Sequence, residues 1–158
     1  MESKKEILLV LGQNIQKARE KQNIDIKELA NRIGYDRICL SRLEYGEQNV
    51  TYKTAMKLAK ELNTSFPSLF SRNYLSENVE EFCEDDFLMV FIENIKHELK
   101  VKGITQTRIY IEYGVPESVI SRVLSKKTDN PTLDTLYKIA MGATDIEMSK
   151  LFSRNITE

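Results

Sequence analysis

Two short stretches, Arg37-Ile38-Cys39-Leu40-Ser41-Arg42 and Glu117-Ser118-Val119-Ile120-Ser121-Arg122, carry the side chains best suited to chemistry in this 158-residue chain. On a helix, positions three and four apart are neighbours, so residues 37, 38, 41 and 42 share one side. An arginine fork on such a face can donate two parallel hydrogen bonds to guanine, and an apolar group can meet a thymine methyl, in a groove that admits a helix. Hydroxyls and lysines nearby suit phosphate oxygens. Catalysis finds no comparable set. His97 is the single histidine and has no cysteine or carboxylate cluster at ligand spacing. Cys39 and Cys83 make neither a disulfide framework nor a metal site. No nucleophile–base–orienter set, glycine-rich phosphate loop or paired catalytic carboxylates occur. The chain reads as a non-enzyme without cofactor or metal.

The elements that position these groups sit in a soluble composition, 41% hydrophobic and 30% charged. Only 6 Gly and 3 Pro are present, which favours helices with short connections over a turn-rich β fold. The longest apolar run, Phe87 to Ile92, is far short of a membrane span. Ile7 to Leu11 lacks the length and cleavage site of a signal peptide, so a cytoplasmic location is expected. The formal net charge of −1 argues against a nucleic-acid partner only until it is divided. Residues 1–76 carry +4, residues 77–86 carry −6 and residues 87–158 carry +1.

The two outer blocks repeat each other. At an offset of 80, Leu8, Asn14, Ile15, Ile24, Gly34, Ser41 and Arg42 meet Leu88, Asn94, Ile95, Ile104, Gly114, Ser121 and Arg122. At 82, the string from Leu69 to Asn73 recurs from Leu151 to Asn155. The offset changes only in polar stretches, where insertions cost little. The spacing predicts five helices per block, at 4–21, 26–33, 37–45, 52–61 and 65–70, then at 87–101, 106–112, 117–124, 133–141 and 146–152. Asp25 with Glu28 reads as a capping box, Asp36 and Thr105 as N-caps. Gly34 reads as a turn that needs positive φ. Expected domains are 1–72 and 87–158, joined by an acidic linker at 73–86.

A short helix, a glycine turn and a second short helix inside an all-α unit form the helix-turn-helix pattern. The first block resembles the Xre/Cro-type (phage-repressor-like) helix-turn-helix family through Ile15, Arg19, Glu28-Leu29-Ala30, Gly34 and Ser41 to Gly46. The second resembles it through Thr105-Gln106, Gly114-Val115-Pro116, Val119 to Arg122 and Asn130 to Leu136. The resemblance implies an all-α fold of two tandem five-helix lambda-repressor-like domains and double-stranded DNA as partner. It assigns base contacts to Arg37, Ile38, Arg42, Ser118 and Arg122. Phosphate contacts fall to Ser41, Tyr45, Lys53, Gln106, Ser121, Lys126 and Lys127. It also implies a buried ion pair between Arg19 and Glu44, whose equivalents in the second block, Leu99 and Leu124, have both become apolar.

Departures are informative. Ile26 stands where relatives often place a phosphate-contacting glutamine, and Gln106 restores it. Glu117 stands where the first block has Arg37, and Tyr110 replaces Ala30, where a large side chain should alter the angle between the motif helices. Leu9 and Met89, or the Leu-Phe pairs at 69–70 and 151–152, are candidate contacts for a homodimer or between blocks. The expected activity is transcription regulation, as a repressor. The competing reading is a protein-interaction module, an antitoxin or phage counter-defence factor whose second block serves dimerisation. The blocks could occupy successive major grooves, or one could read DNA while the other pairs protomers.

Overall fold

Side-chain caps start most of the helices. Asp25, Asp36, Thr51, Asp86, Thr105 and Thr132 each accept a hydrogen bond from the backbone N–H three residues on, at 2.7–3.3 Å. Each satisfies a donor that the helix start leaves open. In the computed structural model, which describes residues 4–72, 74 and 80–154, the chain divides into two units, Met1–Glu84 and Asp85–Glu158. The first holds α1 (Lys4–Lys21), α2 (Ile26–Ile33), α3 (Arg37–Glu44), α4 (Tyr52–Glu61) and a 3₁₀ turn, Pro67–Phe70. The second holds α5 (Phe87–Lys102), α6 (Gln106–Tyr113), α7 (Glu117–Leu124), α8 (Leu133–Ala143) and α9 (Met148–Leu151). No strand occurs among the described residues.

The closing element of each unit is shorter than the periodicity predicts. Residues 65–70 tighten into 3₁₀ geometry from Pro67 on. In the second unit Ile146 donates its N–H to the Thr144 hydroxyl at 3.2 Å. That local bond competes with helix formation and delays α9 to Met148. The capping box at α2 is half made: Asp25 caps Glu28, but Glu28 turns its carboxylate to Arg32 at 2.5 Å.

Each unit closes on its own core. Leu11, Ile15, Leu29, Leu40, Leu43, Leu58, Phe66 and Leu69 are sealed in the first, with Phe66 edge-on to Tyr52 and Phe70. Phe91, Ile95, Ile109, Ile120, Leu136, Leu151 and Phe152 do the same in the second. The Leu-Phe pairs at 69–70 and 151–152 are thus core, not free surface for a dimer. Burial of the lone apolar stripe on so short an element leaves nothing to present outside. Leu9 stays 38% exposed and Met89 is half-buried.

A polar clamp that composition does not announce locks both closing turns. Asn14, buried in α1, donates to the carbonyls of Leu69 and Ser71 at 2.9 and 2.8 Å. Asn94 in α5 donates to those of Leu151 and Ser153 at 2.9 and 3.1 Å. Each amide satisfies carbonyls that would otherwise be stranded at a helix end.

Of the acidic stretch, residues 73 and 75–79 lie outside the described residues. Tyr74 is buried and donates its hydroxyl to Thr64 at 3.1 Å. Glu80 accepts from the Ser65 N–H at 2.8 Å, and Phe82 donates to Asn63 at 3.3 Å, so this part folds back on the first unit. Asp85 is gripped by both guanidinium arms of Arg154 at 2.6 and 2.9 Å, and Asp86 caps α5.

That geometry has a pH signature. The Arg154 guanidinium holds the Asp85 carboxyl below its ordinary range, and the Thr144 hydroxyl, then Lys102, does the same for half-buried Glu98. A carboxyl depressed in the folded state stabilises above the ordinary carboxylate range and loses that contribution as pH falls through the depressed value. Urea titrations between pH 7 and pH 3 are expected to show the advantage of wild type over Glu98→Gln shrinking with acid.

Candidate nucleic-acid interface

The geometry of α3 follows from what its other side must do. Leu40 and Leu43 are 0% and 1% exposed against the core, as are Leu29 and Ala30 of α2. The turn between the helices passes through Gly34 at φ 66°, and Tyr35 donates back to the Ala30 carbonyl at 2.9 Å. A left-handed residue there is cheap only for glycine. With Leu40 and Leu43 turned inward, Arg37, Ile38 and Arg42 are exposed and Ser41 is half-buried. Ile38 at 65% and Tyr45 at 70% are unusually open for their size. Lys53 is exposed in the first turn of α4, a separate element. Arg37 makes no hydrogen bond or ion pair among the described residues, which leaves its five donors for something else.

Two devices fix this helix. Arg19 grips both oxygens of Glu44 at 2.8 and 2.9 Å and donates a third bond to the Ile24 carbonyl at 2.9 Å. The expected ion pair therefore exists, 13% and 4% exposed, and joins α1, the turn after it and the last residue of α3. The Glu44 hydrogen bonds hold the Arg19 pKa above its ordinary value against the opposing cost of burial. Where that pair stands in the first unit, the second has Leu99, half-buried, and Leu124, 5% exposed. The second device is Gly12: a Cβ built there would lie 2.2 Å from the Leu43 carbonyl oxygen and 2.7 Å from that of Glu44. Only a glycine in α1 lets the two backbones approach so closely. The residue 80 positions on is Ile92, buried, and α5 meets α7 less extensively than α1 meets α3.

At the start of α3, the Cys39 N–H holds the Asp36 carboxyl below its ordinary range. Partial burial and then Asp36 push the Cys39 thiol up, away from the reactive thiolate a redox sensor needs.

In the second unit α6, a glycine turn and α7 present different outer groups. Gly114 turns at φ 73°. Ile120 and Val123 are 0% and 1% exposed, so Glu117, Ser118, Ser121 and Arg122 are exposed, followed by exposed Lys126 and Lys127. Lys126 adopts φ 62° where the first unit has Gly46 at φ 76°. Gln106 and Ile26, at the starts of α6 and α2, are both half-buried. Glu117 accepts a hydrogen bond from the Thr107 hydroxyl, a partner ten residues away that no sequence spacing signals. Tyr110 is 50% exposed, whereas Ala30 in the first unit is 1% exposed. Close approach in this unit falls instead at Gly142, where a Cβ would lie 2.9 Å from the Ile109 side chain.

Among the described residues no three His, Cys, Asp or Glu gather at metal-binding distance, and no helix is long and apolar enough to cross a membrane. The helix-turn-helix family model matches residues 15–69, which contain α2, α3 and α4. Control protein C.SmaI of Serratia marcescens is 38% identical over 66 residues, 42% of this chain and 79% of that protein. No solved structure matches the chain. A motif helix displayed as α3 is, together with these two likenesses, the mark of a known group: the chain belongs to the Xre-like helix-turn-helix family of DNA-binding transcriptional regulators.

Proposed function

We propose that the chain binds a specific DNA sequence and represses transcription by occluding a promoter. The observation that carries this reading is the exposed outer face of α3, where Arg37 and Arg42 stand in solvent and Ile38 is 65% exposed. Arg37, Ile38 and Arg42 contact bases, while Ser41, Tyr45 and Lys53 contact phosphates that fix the register. The second unit acts as a second copy of the motif. Ser118 and Arg122 meet bases there, and Gln106, Ser121, Lys126 and Lys127 meet phosphates. Repression asks no more of the protein than occupancy, so no enzymatic step or cofactor enters, and the work is done in the cytoplasm. The near-neutral charge keeps non-specific affinity low, because that term grows with the number of phosphates neutralised.

A mobility-shift assay against genomic fragments at fixed salt tests this. Retardation of a small subset of fragments is expected. Retardation of none, or of all alike, would refute sequence-specific binding.

A second reading, protein contact through the second unit, is favoured by Val101, Tyr110 and Ile111. They are 64%, 50% and 74% exposed, whereas the residue matching Tyr110 in the first unit, Ala30, is 1% exposed. In this reading the first unit reads DNA and the second pairs protomers into a homodimer. Light scattering on the free protein and on Ile111→Asp separates the two: a dimer lost on substitution supports pairing, and a monomer in both cases removes it.

A further inference from the structure

The helices α3 and α7 can be compared position by position without relying on alignment. Each has eight residues. In each, the fourth and seventh are sealed: Leu40 and Leu43 at 0% and 1%, Ile120 and Val123 at 0% and 1%. The shared inward pair fixes the rotation of both helices, so their first, second and sixth residues occupy equivalent outward places. Those places hold Arg37, Ile38 and Arg42 in one unit and Glu117, Ser118 and Arg122 in the other, all exposed.

The sixth place is the same in both helices, and the first place is opposite in charge and in hydrogen-bonding sense. A guanidinium only donates, and guanine offers two acceptors side by side in the major groove. An ionised carboxylate only accepts, so it suits the amino group of cytosine and is repelled by a guanine edge. A G·C pair carries both groups, but from equivalent places in the groove Arg37 calls for guanine and Glu117 for cytosine on the strand it meets, which are opposite orientations of the pair. The second place also differs: Ile38 fits a thymine methyl, whereas Ser118 is small and can either donate or accept. Glu117 is held ready, since the Thr107 hydroxyl occupies Oε1 and Oε2 has no donor among the described residues.

Resting on the DNA-reading assignment above, we propose that this chain recognises a site made of two unlike half-sites. They agree at the base met by Arg42 and Arg122. They differ at the bases met by Arg37 and Ile38 in one half and by Glu117 and Ser118 in the other. Glu117 is then a specificity-determining residue, with cytosine as its target.

Selection of duplexes from a randomised pool by the full chain, followed by sequencing, tests this. Two boxes that share one position and differ at the others are expected. The exchange Arg37→Glu with Glu117→Arg should swap the preferences of the two boxes. Glu117→Arg alone should make them converge, shifting the choice between unlike-box and like-box duplexes by about 5- to 150-fold, the cost of one mismatched base pair. Glu117→Gln, the milder variant, should relax the second box while the helical content stays that of wild type. Two identical boxes, direct or inverted, overturn the proposal. So does a Glu117→Gln variant that binds all DNA more tightly with an unchanged consensus. Enrichment of a single box overturns it while leaving the first unit's DNA reading intact. No enrichment at all overturns both.

Discussion

Glu44→Ala is expected to destabilise the first unit by about 3–5 kcal/mol, the usual cost of removing one partner from a buried ion pair. Arg19 would keep its charge in a site 13% exposed, with the Ile24 carbonyl as its one remaining hydrogen-bond partner among the described residues. The double change Arg19→Leu with Glu44→Leu is expected to recover most of the loss, because replacing both charges by apolar groups removes the stranded charge. The second unit already has Leu99 and Leu124 at those positions. Urea unfolding of the full chain, followed for each of its transitions, checks this. A Glu44→Ala protein as stable as wild type would mean that the pair contributes nothing.

Gly12→Ala gives the second large effect, and here two principles predict opposite signs. Alanine is the better helix former by about 1 kcal/mol, which favours the substitution. Its Cβ would meet the Leu43 carbonyl oxygen at 2.2 Å, and backbone is the least able of all neighbours to give way. Packing wins: α1 and α3 must part, at a cost of about 3 kcal/mol, the upper end for overpacking. Because α3 carries the outer face, DNA affinity should fall together with the melting temperature. A stabilised Gly12→Ala protein would show that helix propensity outweighs the contact.

Three helix starts could be read from sequence because their determinants are local: Asp25, Asp36 and Thr105 each act three residues away. The Arg19–Glu44 pair was legible through the family resemblance and through the joint loss of charge at Leu99 and Leu124. Asn14 and Asn94 were visible only as matching letters. Their hydrogen bonds reach closing turns 55 to 59 residues away, a distance over which no single-sequence pattern operates. The clamp also makes sense of the shift in offset, since asparagines 80 apart hold leucines 82 apart. Gly12 was silent because a helical glycine reads only as a cost until the neighbouring backbone is seen. At the interface, the residue types and the inward leucines of α3 were enough to place Arg37, Ile38 and Arg42 outside. The Thr107 hydroxyl on Glu117 depends on the path of the turn and was not readable.

Base reading by the outer face of α3, as proposed, is tested by fluorescence anisotropy of wild type and Arg42→Ala on a duplex that wild type selects, at constant salt, with an unrelated duplex as control. Arg42→Ala is expected to weaken binding to the selected duplex by about 5- to 150-fold and to leave binding to the control much less affected. Equal affinity of the two proteins for the selected duplex would contradict it.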